Sequence, residues 1–236
     1  MVEVGNWHTF TYTKLLNSQT GEEDRPRVDF ISTRPLPAEA DRRIIRNLRS
    51  AISDFDVILV ADQAETDAGG VVTADLRQCI SELAAQYADK VFVVDSRKRI
   101  DLFRNVTIKP NREEAEAACA KLFGSTNFER LRAKVTIVTQ GPKGALVVEE
   151  GRETWAKAWP VERPVDICGA GDSFAAGMAL TVAVTQEPVL AAGFGNLVAS
   201  ITVMKKGTGT ASPEEVLAAE TADALCNIRT SGGGSR

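Results

Sequence analysis

Short apolar runs alternate with longer amphipathic stretches over most of this chain, and that alternation sets the expected architecture. Asp56-Val57-Ile58-Leu59-Val60-Ala61-Asp62 is a continuous apolar run closed by a carboxylate, the pattern of a parallel strand buried on both faces. Val72 to Tyr87 carries apolar residues at helical spacing (Val72, Leu76, Ile80, Leu83, Ala84). Val91 to Asp95 repeats the strand-then-Asp pattern, and Asn105 to Lys109 reads as a short strand closed by Pro110. An acidic, Ala-rich helix is expected over 112–122 and a shorter one over 127–132. Val135 to Thr139 reads as another buried strand. Gly144 to Glu149 and Glu153 to Ala158 read as an antiparallel pair about the turn Glu150-Gly151-Arg152. Helices are expected at 171–185, 188–204 and 213–225, the last opened by Ser212 as N-cap and Pro213 at its first position. Strands alternating with helices predict an α/β fold, a parallel sheet with helices on both faces.

The first forty residues differ. Thr9 to Lys14 alternates like a strand with one wet face, and Arg27 to Ser32 is its expected partner across a polar turn, Ser18 to Arg25. Such a ribbon, lying outside the main sheet, suits a lid or a dimer surface.

Composition narrows the function classes. A chain of 236 residues, 44% hydrophobic and 25% charged, is long enough for one large domain whose core needs no staples. A net charge of −4 argues against a broad basic surface for nucleic acid. No apolar run approaches the roughly 20 residues of a membrane span and no signal peptide heads the chain, so a cytoplasmic protein is expected. Cys79, Cys119, Cys168 and Cys226 lie far apart with no CxxC pair, which argues against zinc and a disulfide framework. The single histidine, His8, lies near the N-terminus, so any catalysis must rest on carboxylates, lysines and backbone dipoles. Ser231 to Arg236 reads as a flexible linker.

The richest segment chemically is Asp166-Ile167-Cys168-Gly169-Ala170-Gly171-Asp172-Ser173-Phe174, feeding the apolar start of a helix. A Gly-Ala-Gly turn into a helix presents backbone N–H groups at the positive end of the macrodipole, a site for an anion such as phosphate. A carboxylate on the first turn, Asp172, is poorly suited to bind phosphate but well placed to take a proton from an attacking hydroxyl. The alternative is a tight turn with Asp172 as a plain helix cap. A dinucleotide fingerprint would need a small residue where Phe174 stands, which disfavours a nucleotide-dependent oxidoreductase. Two further segments follow strand ends, where α/β sheets place their ligands. Asn111 and Glu114 stand three apart at a helix start, either to hold the waters of a Mg²⁺ or as an ordinary capping box. Thr139-Gln140-Gly141-Pro142-Lys143-Gly144 offers two glycines, a hydroxyl and a cation, for phosphate or simply as a turn. Asn196, in an apolar helix, is either a base-edge contact or a satisfied core amide, and Lys205 and Lys206 suit a helix C-terminus.

Taken in order, these motifs resemble the ribokinase-like (PfkB) carbohydrate kinases from about Asp56 to about Glu215. They are Asn-x-x-Glu at Asn111 and Glu114, Thr-x-Gly-x-x-Gly at Thr139, Gly141 and Gly144, and Asp-x-x-Gly-Ala-Gly-Asp at Asp166 to Asp172. The resemblance implies a three-layer Rossmann-like fold and phosphoryl transfer from ATP to a sugar or sugar-phosphate hydroxyl. It implies Asp172 as base and Gly169, Ala170 and Gly171 as anion hole. It also implies Asn111 and Glu114 in the Mg²⁺–phosphate network, Thr139, Gly141, Lys143, Gly144 and Asn196 on ATP, and Asp166 near a monovalent cation such as K⁺. The expected organisation is a β-ribbon or lid segment over 1–40, a nucleotide-binding α/β domain over 41–228 and a tail over 229–236, with the ribbon a candidate homodimer surface. The family's early substrate-binding Asp and Gly-Gly-x-x-x-Asn stretch has no counterpart in residues 1–55. The expectation is therefore an N-terminally shortened kinase, a fragment or a natural truncation, with a non-catalytic nucleotide-binding module as the alternative. Cys168 replaces a residue usually Thr or small, placing a thiol beside the anion hole. The basic Ser96-Arg97-Lys98-Arg99 stretch after Asp95 is similar to the heptose-7-phosphate kinase branch, where it could face a phosphorylated sugar, or be a solvated loop.

Overall fold

The computed structural model describes residues 1–5, 7–66, 68–124, 127–131 and 133–219. The expected tail over 229–236, Cys226, Arg132 and the end of the helix expected over 213–225 lie outside the described residues.

A six-stranded sheet forms the middle layer, its strands adjacent in the order in which they occur along the chain. β3 (Val57–Asp62), β4 (Val91–Ser96), β5 (Thr107–Ile108) and β6 (Val135–Thr139) run parallel. β7 (Ala145–Glu149) and β8 (Arg152–Ala156) complete the sheet antiparallel, so the fold is a mixed α/β sheet. The alternation of side chains sorts the core into two halves. Phe92 and Val94 of β4 and Ile108 of β5 pack with Leu76, Ile80 and Leu83 of α2 (Ala74–Gln86) and Ala118 and Cys119 of α3 (Arg112–Phe123). Ile44, Ile45 and Leu48 of α1 (Ala38–Ala51) lean on the same half. Val91, Val93, Ile137 and Val147 face the opposite way, onto Phe174 and Met178 of α4 (Ala170–Thr185) and Ala191 and Ala192 of α5 (Pro188–Thr202).

The ribbon stands apart as its own two-stranded sheet, β1 (Thr11–Leu16) antiparallel to β2 (Glu23–Phe30), with an irregularity between Thr13 and Leu15. The connecting turn is shorter than expected, because β2 already begins at Glu23. Three other expectations need correction. β3 is not buried on both faces: among the described residues it is the edge of the sheet, and Leu59 is 51% exposed. The segment expected as a helix from 127 is a single 3-10 turn, Phe128–Arg130. β5 is cut to two residues because Asn105 takes a left-handed conformation (φ 63°). Among the described residues, no helix is long and apolar enough to cross a membrane.

Candidate active site

The C-terminal ends of the parallel strands and the start of α4 meet at one place, and the local sequence explains the geometry. Gly169 caps α4 in the left-handed region (φ 79°), and a β-carbon there would stand 2.5 Å from Thr208 Cγ2. Glycine is therefore required twice over, by dihedral and by space. Ala170 N–H donates to Ile167 O (3.2 Å) and Ser173 N–H to Gly169 O (2.9 Å). Between them, the amides of Gly171 and Asp172 have no acceptor among the described residues. Two free donors at a helix N-terminus make a ready anion site. Asp172 lies on that first turn, exposed, with no hydrogen bond or ion pair to the described residues.

Asp166 is committed to the chain. Its Oδ1 accepts from Cys168 N–H (2.9 Å) and its Oδ2 from Gly207 N–H (3.2 Å), and Lys14 Nζ of the ribbon stands 3.8 Å away. The Cys168 amide, then Lys14 and the Gly207 amide, hold its carboxyl below the usual carboxylate range. Lys14 also pairs with Glu23 across the ribbon (3.0 Å), while its contact with Asp166 and the bond from Tyr12 Oη to Gln63 O (2.9 Å) tie the ribbon to the α/β body at two points.

Asn111 and Glu114 form a reciprocal capping box on α3. Asn111 Oδ1 accepts from Glu114 N–H (2.9 Å), and Glu114 Oε2 accepts from Asn111 N–H (2.8 Å). Burial raises the Glu114 carboxyl above its ordinary value, against the pull of the Asn111 amide. Glu114 Oε1 has no protein donor among the described residues, which leaves one oxygen to face a hydrated cation. No group of three or more His, Cys, Asp or Glu that could hold a metal occurs among the described residues. A Mg²⁺ here would rest chiefly on nucleotide phosphates and waters, which suits that ion.

Thr139 ends β6 beside Asn111: the two form an isolated parallel bridge, and Thr139 N–H donates to Pro110 O (3.0 Å). The loop beyond it divides its glycines between two tasks. A β-carbon on Gly141 would meet nothing within 4 Å, and Lys143 is exposed, so this flank is open to a ligand. Gly144 (φ 98°) is needed for packing instead, since a β-carbon there would lie 2.2 Å from Ala156 O. Asn196 also departs from the nucleotide role expected of it. It is buried, and its Nδ2 donates to Ala156 O (3.1 Å) and Lys157 O (3.0 Å), which fixes the chain leaving β8 to α5. Its amide nitrogen is thereby satisfied within the protein.

Sequence reasoning passed over one pair. Lys109, 3% exposed, places Nζ 3.0 Å from Asp95 Oδ2. Its Nζ also lies 3.6 Å from the point where a β-carbon on Gly171 would stand. The signal was available: with Val94 opposite Ile108 in the parallel register, Asp95 and Lys109 are neighbours at adjacent strand ends. Nearby, the basic stretch after β4 turns partly inward. Arg99 forks onto buried Asp62 through Nε (3.0 Å) and Nη2, and Ser96 Oγ donates to the same carboxylate (2.7 Å). Beyond Asp62, toward the ribbon, opens a cavity of about 660 Å³ whose lining includes Trp7, Phe10, Tyr12, Leu36, Ile44 and Val72.

Fold and site together define a three-layer Rossmann-like α/β protein of ribokinase-like architecture, with a helix N-terminus bearing two unengaged amides at the carboxyl ends of its parallel strands. The chain belongs to the PfkB family of carbohydrate kinases: the model described as pfkB family carbohydrate kinase matches residues 29–215. It is 31% identical over 201 residues to the bifunctional protein HldE of Pelobacter propionicus, a match covering 81% of this chain and 40% of that protein. The corresponding protein of Gluconobacter oxydans is 28% identical over 226 residues, covering 92% of this chain and 46% of that one. The chain thus spans less than half the length of these relatives. Among solved structures, the fold is like that of Xylella fastidiosa fructokinase with bound ATP (TM-score 0.69, 19% identity, 94% of this chain and 76% of that one). It is also like Thermotoga maritima ribokinase (TM-score 0.66, 23% identity, 90% and 70%).

Proposed function

We propose that the chain is the catalytic α/β portion of an ATP-dependent kinase that phosphorylates a hydroxyl of a sugar or sugar phosphate. The observation that carries this reading is the start of α4, where two free amides adjoin a carboxylate free of protein partners. In this reading Asp172 takes the proton of the acceptor hydroxyl as its oxygen attacks, and the Gly169–Gly171 turn receives the phosphoryl group. The open flank at Thr139, Gly141 and Lys143 takes the nucleotide phosphates. Asn111 holds Glu114 in place, and Glu114 Oε1 would help hold a hydrated Mg²⁺, whose charge would offset that of the phosphates. The protein's share of catalysis is positioning and electrostatics.

The test is Asp172→Asn, scored by a coupled ADP-release assay over a panel of sugars and sugar phosphates and by calorimetry with ATP and Mg²⁺. Turnover should fall by about 10³-fold or more with ATP affinity retained, the scale on which general-base and orientation effects combine. Near-normal turnover would remove Asp172 as the base.

A second reading, a nucleotide-binding module without turnover, is favoured by the cavity beside the ribbon. Sugar hydroxyls need paired polar groups, yet this cavity is mainly aromatic and aliphatic, and Asp62 on its rim is consumed by Arg99. ATP binding with no ADP release on any acceptor would favour the module. We assign self-association to the ribbon, where Val28 and Phe30 share an exposed face.

A further inference from the structure

Lys109 stands in an electrostatically incomplete position. Its ammonium is buried, its ion-pairing carboxylate among the described residues is Asp95, and it points at the N-terminus of α4. That end of a helix carries roughly half a positive charge, and here the amides of Gly171 and Asp172 are unengaged. A buried cation facing the positive end of a helix is repelled by it, and one carboxylate offsets only the charge of the lysine itself. The field is balanced when a multiply charged anion enters between them. The Lys109 ammonium stands 3.6 Å from the place a β-carbon of Gly171 would take, so a ligand held at the α4 amides lies within its reach.

We infer that Lys109 is a catalytic residue, binding a non-bridging oxygen of the phosphoryl group in flight opposite the α4 amides, and that Asp95 is the residue that positions it. The inference rests on the kinase reading. The bond between the γ-phosphorus of ATP and its bridging oxygen breaks, its electron pair leaving with ADP. The acceptor oxygen forms the new bond to phosphorus and its proton passes to Asp172. Lys109 neither gives nor takes a proton: its charge, fixed by Asp95 and desolvated by the core, stabilises the equatorial oxygens as negative charge gathers on them.

Lys109→Met alone would leave Asp95 unpaired beside the core, so the decisive protein is the double variant Lys109→Met/Asp95→Asn, which removes both charges. Wild type, the double variant and Lys109→Arg are compared by melting temperature alone, with ADP–Mg²⁺ and with ADP–Mg²⁺ plus aluminium fluoride, and by ADP release on any acceptor turned over. The double variant should fold and be stabilised by ADP, yet lose the extra stabilisation that aluminium fluoride gives wild type. Its kcat should fall about 100-fold, the loss seen when one oxyanion donor is removed, with the KM for acceptor nearly unchanged. Lys109→Arg should recover part of both signals. A double variant that keeps the aluminium fluoride response and turnover overturns this role while leaving the kinase reading intact. If wild type itself responds to neither ADP nor ADP with aluminium fluoride, both readings fall.

Discussion

Two glycines of one loop answer differently to the same substitution. Gly144→Ala forces a β-carbon against Ala156 O at a left-handed φ, whereas Gly141→Ala meets open space. Gly144→Ala is expected to cost more than about 2 kcal/mol in a urea melt, against about 1 kcal/mol for Gly141→Ala, whose penalty is dihedral alone. Similar losses at both sites would contradict the packing role given to Gly144. Asn196 permits an equally sharp comparison. Asn196→Leu strands two carbonyl groups at the end of β8 and should cost about 1–3 kcal/mol. ATP affinity by calorimetry should stay within a few-fold of wild type. A tenfold or greater loss of affinity in a protein that melts normally would restore the nucleotide contact.

At the scale of elements, the α3 N-terminus shows how one motif can serve two ends. Removing the cap with Asn111→Ala should lower stability by about 1 kcal/mol, while Asn111→Asp should keep it. If both variants lose turnover beyond what their stability explains, the amide acts on the phosphate network as well. The ribbon carries a pH dependence. The folded-state pKa of Asp166 is depressed, so its contribution is complete above the ordinary carboxylate pKa and is lost as pH falls through the lower folded value. Below about pH 4 the tie from Lys14 and the Gly207 amide should therefore loosen. Amide exchange in β1 should rise there in wild type, and Asp166→Asn should flatten that rise.

The same scale shows what was legible in the sequence. The strands β4, β6 and β7 were readable because β-branched runs bounded by turn residues admit few other structures, and Ser212 and Pro213 announced their helix. The antiparallel return at Glu150-Gly151 was equally plain, both residues taking positive φ. That β3 lies at an edge was hidden, since an apolar run records its own hydrophobicity but not its neighbours. The fate of Asn196 was hidden for a related reason: it depends on where α5 passes the end of β8. In the site, the order Asn111, Glu114, Thr139, Gly169 and Asp172 was visible, but the Lys109–Asp95 pair required strand register.

Across the whole molecule, one buried clamp sets the stability of the sheet edge. Arg99→Met would leave the Asp62 carboxylate, 1% exposed, with Ser96 but without its cation, a loss of about 3–5 kcal/mol. Its check is chemical denaturation beside the double variant Arg99→Met/Asp62→Asn, which should recover part of the loss. Self-association is tested at the same scale: Phe30→Lys should shift any dimer seen by sedimentation toward monomer, and an unchanged mass would clear the ribbon of that role. The strand order has a separate consequence, for biogenesis. Because strands β3 to β8 are laid side by side in the order of synthesis, each can join the growing sheet as it leaves the ribosome, with modest loops to close. The face made by Val91, Val93, Ile137 and Val147 must nevertheless wait for α4 and α5, which are made afterwards. A nascent chain stalled after β8 would therefore present a paired sheet with one greasy side bare, making it a natural client for chaperones until residues 170–202 arrive.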